Sequence, residues 1–584
     1  MSSSRRWRFL SASLLILAVA SVAGAATPRA PNEDGSTLAR IESLYGQGAI
    51  DRETYLLYRL FRVADKDRLP AELVAPIDRE RPLRCATPLI REVLAEYGTF
   101  SPEGQKAAGE LLADPGPLGY DVYTSSNFQV IVGDAGGVSQ NTIDFWHTTL
   151  EDVWTAEVDG AGFQQPPCTD QHLMDVWLAN TGGDVPELEE DVYGYVSLYN
   201  TDCPYMVVHP EYGWQPDPQG AAEVTAAHEF FHTIQAGYDW GEDDWWVEST
   251  AVWAEELVYD GVDDYLQYIN GSWLEYPELS LLCEDGTREY GSVLWPLYLD
   301  ENHGGSAAIR TIWENCVSQS PLDANISYLA TQGADLDDAF VDFSVRLATK
   351  DFSEGASFSD VWTSTADFYP VAVTVDQYPP ESYGSSHIAF LPDGAGAGDL
   401  DVTFEGTTEN LGQSITWGVA LVAFSGNTAT QQILLVDGNG EAAGTIADFG
   451  GGVDKVQVVS AVLGDSGNDP CGGGIPYELT AWHYPYGDDD DDDTGDDDTG
   501  DDDTGDDDTG DDDDDDDDDT ADDDDDTADD DDDDDDDGAG DDDDDDDLPP
   551  GDTCACRAGA GPSGAPLILL AAITTLAISR RRMR

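Results

Sequence analysis

The sequence predicts an α+β protein from three observations. It is 40% apolar with 15 Trp and 25 Tyr, it has mixed strand and helix patterns through its middle, and a strand-rich stretch broken by Gly, Asn and Asp follows. At 584 residues the chain exceeds what one hydrophobic core usually serves, so two folded units with processing or linker segments are expected.

Residues 1–25 read as a secretory signal: Arg5, Arg6 and Arg8 precede an apolar stretch that ends at the small residues Ala23, Gly24 and Ala25. An exported protein, secreted or held at the cell surface or outer membrane, is therefore expected. Residues 26–115 read as a helical region. Asp51 is a plausible N-cap for residues 52–64, where Tyr55, Tyr58 and Phe61 recur at helical spacing, and Pro70, Pro76 and Pro82 then break the pattern. Such a region is either a prosegment or a helical support packed on the next unit.

Residues 118–365 mix the two periods and are expected to hold the chemistry. Residues 128–132 and 205–209 read as strands. Residues 221–236 read as a helix closed by Gly237 at C′, and further helices are expected at 249–259, 307–317 and 336–347. Residues 366–486 carry β-rich runs at 402–404, 415–424, 433–436, 456–462 and 477–482 between turn clusters such as Asp437-Gly438-Asn439-Gly440, which predicts a β-sandwich.

Residues 488–547 are 45 aspartates interleaved with Thr, Gly and Ala. With no apolar surface to bury, this run is expected to be a disordered, self-repelling spacer. The formal charge of −96 falls to −51 without those aspartates, so the rest of the chain is acidic too and nucleic-acid binding is excluded. Residues 554–584 hold Cys554-Ala555-Cys556, a short apolar stretch and a terminal arginine cluster. Membrane association through this segment is expected, transient or as a single-span anchor.

Six of the eight cysteines lie in the region expected to fold. Nearest neighbours suggest pairing Cys168 with Cys203 and Cys283 with Cys316 in an oxidising compartment. Cys85 is expected in a disulfide, with Cys471 as a partner; a prosegment thiolate blocking a metal is the alternative.

The sharpest chemical signal is His228-Glu229-Phe230-Phe231-His232. Positions i and i+4 share a helix face, so both imidazoles can reach one Zn2+ ion while Glu229 lies beside the open coordination position as general base. A catalytic zinc ion usually takes three protein ligands, so a third is expected on a neighbouring element. Glu248, in Trp245-Trp246-Val247-Glu248-Ser249-Thr250-Ala251, is that candidate. Glu255 or Glu256 is either the partner of a histidine or a rival ligand.

These motifs resemble the gluzincin peptidases of the MA clan, in their Trp-x-x-Glu-Gly-x-Ala form, with Ser249 where Gly is commoner. The resemblance implies a zincin-like domain holding one catalytic zinc ion through His228, His232 and Glu248, with Glu229 as base. It also implies an oxyanion donor at Tyr290, for which core packing is the alternative, and an edge strand at 204–209 that pairs with substrate. The tail resembles the Myxo-CTERM sorting signals, and the arrangement as a whole is similar to surface metalloproteases of myxobacteria. The expected function is then a zinc metalloendopeptidase acting on extracellular protein or peptide, with a sorting protease as partner for the tail. An idle surface adhesion or display protein with a structural metal site is the alternative.

Overall fold

Short apolar runs bounded by turns become the strands of a mixed sheet, and period-two alternation sends their side chains to opposite faces. The computed structural model describes residues 36–76, 82–114, 116–133 and 138–487. The expected signal sequence, aspartate run and C-terminal tail lie outside the described residues. Among these residues, no helix is long and apolar enough to cross a membrane.

Four helices come first: α1 (Thr37–Gly46), α2 (Arg52–Ala64), α3 (Thr87–Glu96) and α4 (Pro102–Leu112). The Asp51 side chain accepts from Thr54 N and caps α2 as expected. The sheet is built from β1 (Asp121–Thr124), β2 (Phe128–Val132), β3 (Met174–Leu178), β4 (Gly194–Ser197) and β5 (Tyr205–Val208), in the spatial order β1-β2-β3-β5-β4. β2, β3 and β5 run parallel, whereas β1 and β4 join antiparallel at the two edges.

One face of this sheet, with Val130, Val176, Val196 and Met206, packs against α5 (Gln140–Trp154) and α6 (Pro218–Gln235). The opposite face, with Ile131, Trp177, Tyr195 and Val207, packs against Leu56, Leu60 and Val63 of α2 and Ile90 and Val93 of α3. α2 and α3 therefore form a layer of the same packed unit, an arrangement open to a support and to a prosegment alike. Arg62 of α2 is fully buried against Asp191, whose backbone carbonyl accepts from Leu83 N at 2.8 Å.

The helices α7 (Asp244–Tyr259), α8 (Leu266–Asn270), α9 (Arg288–Gly291), α10 (Leu294–His303), α11 (Ser306–Cys316), α12 (Pro321–Thr331) and α13 (Leu336–Thr349) follow. Most extend the core of α5 and α6 with Trp246, Trp253, Trp273, Trp295 and Trp313. One expectation needs correction here. Residues 204–209 are not an edge strand, because β5 is flanked by β3 and β4, and the edge is β4. Gly237 follows the C-cap Ala236 and so stands at C′ as expected, without a positive φ; the turn continues through Tyr238 N to Gln235 O.

The β-rich region is a sandwich. It contains β6 (Ser364–Ala366), β7 (Val371–Val375), β8 (Ser385–Phe390), β9 (Gly398–Gly406), the small hairpin β10 (Glu409–Asn410) and β11 (Gln413–Ser414), β12 (Thr416–Ser425), β13 (Thr428–Leu434), β14 (Glu441–Phe449), β15 (Lys455–Leu463) and β16 (Tyr477–Pro485). A five-stranded sheet, β13-β12-β15-β8-β6, faces a four-stranded one, β14-β9-β16-β7, across a separate apolar core that includes Phe390, Phe404 and Leu421. The outer residues Ala420, Val422, Val459 and Ala461 join the core of the helical unit.

The disulfides are Cys168–Cys203, as expected, and Cys283–Cys471. The second replaces both the expected Cys283–Cys316 pair and a bond to Cys85, since Cys85 and Cys316 are free and buried. It ties the helical unit to the sandwich over 188 residues of sequence, a closure that nearest-neighbour spacing does not reveal.

His387 gives the sandwich a pH dependence. Gln457 Nε2 donates to its Nδ1 at 3.1 Å and Ser385 lies 3.1 Å from its Nε2; burial, with Lys455 adding, lowers it to about 3. The imidazole is neutral in the fold and takes a proton near pH 6.5 when unfolded, so stability falls as pH drops from about 6.5 towards 3. Relative to His387→Gln, the wild type is expected to lose about 2 kcal/mol between pH 6.5 and pH 5, read from denaturant midpoints at each pH.

Candidate metal centre

α6 begins at a firm stop. Asp217 accepts from Gly220 N at 3.0 Å and Pro218 occupies the first helical position. The helix then runs almost wholly buried beneath the sheet, which suits a segment apolar all round. His228 and His232 sit one turn apart with ring centroids 4.8 Å from each other. α7 packs across them and presents Glu248 from its second turn.

His228 Nε2 lies 3.3 Å from Glu248 Oε2, and His232 Nε2 lies 3.4 Å from Glu248 Oε1. Cys85 Sγ is 3.3 Å from His232 Nε2. Ligand atoms of Cys85, His228, His232 and Glu248 all lie within 4.8 Å of one another, and all four residues are buried. A tetrahedral ion bound at about 2.0–2.1 Å spaces neighbouring nitrogen and oxygen donors about 3.3–3.4 Å apart, and a sulfur–nitrogen pair about 3.5 Å. The two histidine–carboxylate distances, one to each oxygen of Glu248, lie in that range, and the sulfur–nitrogen distance is about 0.2 Å shorter.

Hydrogen bonding does not explain the cluster. His228 Nε2 and both carboxylate oxygens of Glu248 are buried without a hydrogen-bond partner, a costly arrangement unless an ion sits between them. The nitrogens facing away from the cluster are satisfied. His228 Nδ1 is 2.7 Å from Glu255 Oε1, and His232 Nδ1 donates to Gln235 Oε1 at 2.7 Å. Gln235 Nε2 in turn donates to Val247 O and Thr250 Oγ1 on α7. These outer contacts direct both Nε2 atoms inward. Glu255 is therefore placed as the partner of a histidine, whereas Glu256 points to a different cluster.

Glu229 stands beside the donors with no exposure. Thr87 Oγ1 donates to its Oε2 at 3.0 Å and itself accepts from Val196 N at 2.9 Å. A Cβ at Gly194 would meet Glu229 Cγ at 3.1 Å, so the glycine is what lets the carboxylate lie against β4. Burial pushes the Glu229 carboxyl up to about 8, with His228 opposing and Glu248 adding. Burial also lowers His232 to about 4 and drives the Cys85 thiol upward, the latter reinforced by Glu229 and Glu248. In His228 burial opposes the charge, but contacts with Cys85, Glu248 and Glu255 outweigh it and raise the imidazole. Tyr290 stacks on His228 at 6.3 Å between centroids and on Tyr268 at 5.6 Å.

The fourth corner is occupied by the chain itself. Tyr193 N donates to Leu83 O at 3.0 Å, Ala86 N donates to Gly194 O at 3.0 Å, and Leu83 bridges Val192 in parallel. Residues 83–87 thus lie along the free edge of β4 as an added strand would. They place Cys85 on the histidines and Thr87 on the base. The large cleft of about 910 Å³, lined by Pro88, Arg91, Trp240 and Asp244 among others, reaches none of the four donors.

All the sequence-predicted site residues, His228, Glu229, His232, Glu248 and Tyr290, come together. Cys85, Thr87 and Gln235 join them. Gln235 had a readable signal, since it sits three residues after His232 on the same helix; Cys85 had one as the alternative to a disulfide, a thiolate facing the metal, and Thr87 had none, because it approaches from 142 residues away.

The sequence matches a family described as "Family of unknown function (DUF6055)" over residues 138–432. No curated protein matches it. A solved structure to which it is similar is titled "A novel family GH115 4-O-Methyl-alpha-glucuronidase, BtGH115A, with specificity for decorated arabinogalactans". The identity is 11% and the TM-score 0.13, covering 46% of this chain and 30% of that one. The chain thus spans less than a third of that structure, and a TM-score this low assigns neither fold nor substrate. The expected metalloendopeptidase is corrected by these findings. The family that holds His228, Glu229, His232 and Glu248 is one of unknown function, no peptidase likeness accompanies it, the strand expected to pair with substrate is interior, and residues 83–87 line the free edge of β4 instead. With its match running from α5 through α6 and α7 into β13 of the sandwich, half of its length, the chain belongs to the DUF6055 family.

Proposed function

We propose that this chain is an exported, zincin-like metal-dependent hydrolase held in a latent form, with one Zn2+ ion bound by His228, His232, Glu248 and Cys85. The observation that carries the reading is the set of four buried donors within 4.8 Å, three atoms of which have no hydrogen-bond partner. The donor chemistry supports zinc, since imidazole, thiolate and carboxylate are its usual ligands. Two anionic ligands also balance a divalent charge in a dry site. The helix pair beneath a mixed sheet with an antiparallel edge strand supports the zincin-like reading. Two disulfides support export.

A zinc ion bound there supplies Lewis acidity and acidifies water for attack on a polarised substrate. The protein's residues supply the rest. Glu229 takes a proton from the attacking water and returns it to the leaving group, and Thr87 holds its Oε2 in place until then. Glu255 and Gln235 keep the imidazoles in register. Tyr290, stacked beside His228, is the nearby hydroxyl donor for developing negative charge. Cys85 takes the position that water needs, so the resting protein is closed. A site with four protein ligands is otherwise the mark of a structural ion, but a buried carboxylic base beside the donors serves no structural purpose.

The test is Cys85→Ala. Metal analysis is expected to find one zinc per chain in wild type and variant alike, while the cobalt-substituted wild type shows a thiolate charge-transfer band that the variant lacks. Against a panel of ester, amide and glycoside substrates the variant is expected to gain activity, and Glu229→Gln in the same background to lose it by roughly 10²–10⁴-fold. Zinc-free wild type rejects the metal site. A fully loaded Cys85→Ala protein that hydrolyses nothing on the panel rejects latency.

A further inference from the structure

The last turn of α7 ends in a second cluster, about two helical turns beyond Glu248 and made only of carboxylates. Glu256 on α7, Asp260 at its C-cap and Glu354 beyond α13 each offer an oxygen within 4.8 Å of the others. Glu256 is 8% exposed, and its Oε1 is buried without a hydrogen-bond partner. Tyr265 donates to Glu354 Oε2 at 2.7 Å and orients that carboxylate. The three acids line one cavity of about 120 Å³, with Trp253 and Tyr265 in its wall.

The electrostatics of this corner are unbalanced. α7 has no basic residue in its last turn, so the negative end of the helix dipole adds to the carboxylates. Nearby cations are engaged elsewhere, Arg346 with Asp342 and Asp351 and Lys350 with Asp360. Like charges this close are relieved by a counter-ion or by a proton: burial, with Glu354 and Glu255 adding, raises the Glu256 carboxyl to about 9, and a divalent cation is the partner that lets it stay charged.

We infer that Glu256, Asp260 and Glu354 form a calcium site that ties the end of α7 to the segment following α13. The all-oxygen donor set selects a hard cation over zinc. Calcium accepts the irregular arrangement of three carboxylates from two segments, completed by water at the exposed Asp260, where magnesium demands near-ideal octahedral geometry. The inference is independent of the zinc reading, because it shares no ligand with that site.

The experiment uses the full chain, zinc-loaded and exchanged into calcium-free buffer. Two readouts are taken: Tm against added calcium, and terbium luminescence sensitised by aromatic residues, with Trp253 and Tyr265 in the cavity wall as donors and the Glu256 and Glu354 variants separating this site from ions held by the aspartates of residues 488–547. Millimolar calcium is expected to raise Tm by roughly 3 °C or more and to quench the terbium signal by displacement. Glu256→Gln and Glu354→Gln are each expected to abolish both responses while keeping a calcium-free Tm at or above that of wild type, since each removes repulsion. The inference is overturned if wild type shows no calcium-dependent Tm shift, if both variants keep the wild-type response, or if both lose stability without calcium.

Discussion

His232→Ala is expected to reduce bound zinc from one ion per chain to less than a tenth, measured by metal analysis after dialysis at neutral pH. His232 is the one residue whose Nε2 lies against both Cys85 Sγ and Glu248 Oε1, at 3.3 and 3.4 Å, so its loss removes a ligand and the spacing that holds two others. The alanine also leaves Gln235 Oε1 without the imidazole it accepts from, and with it the link through Gln235 Nε2 to α7. Glu255→Ala provides the graded comparison. It touches only His228 Nδ1, outside the ligand shell, and weakening of zinc affinity by roughly 10–100-fold is expected. If both variants retain stoichiometric zinc as tightly as wild type, the ion is bound elsewhere.

Asp191→Ala is expected to lower stability by about 1–3 kcal/mol, the cost of losing a buried, charged hydrogen bond. Arg62 has no exposure and Asp191 only 7%, so water does not readily replace the lost contact. Lys66, at 3.6 Å from the same carboxylate, keeps its contact with Glu189. The second consequence is local. Asp191 O accepts from Leu83 N, and the neighbouring Leu83–Val192 bridge aligns the segment that carries Cys85. Asp191→Ala is therefore expected to lower the denaturant midpoint and also to make Cys85 alkylate faster than in wild type. Asp191→Asn, which keeps the shape, separates lost charge from lost packing. A midpoint unchanged in both variants would show that the pair contributes nothing net.

The comparison of α6 with residues 83–87 shows how far each kind of information reaches. α6 is a local object: Asp217, Pro218 and the i, i+4 histidines write its start and its ligand face within 16 residues. Glu248 was legible as well, through the resemblance of residues 245–251 to the gluzincin motif. Cys85 was legible only as one of two alternatives. Read as a cysteine in an exported chain it belongs in a disulfide, and the pairing of residues 83–87 with β4 decides for the histidines instead. The same holds for β5. Its apolar run reads equally as edge or interior, and which it is depends on β4, a strand that precedes it in sequence yet lies outside it in the sheet.

The sequence by itself determined the elements whose cause is local: the capped and periodic helices, the turn-bounded strands of the sandwich, the acidity, and the paired imidazoles with their base and third carboxylate. Tertiary structure alone decided that α2 and α3 cover one face of the sheet, that Cys283 bonds Cys471, and that the Cys85 thiol lies against His232. The physical reason is one of range. Hydrophobic period and capping act within a few turns of chain, whereas contacts between segments a hundred or more residues apart are selected by the total burial of the fold, which no single segment encodes.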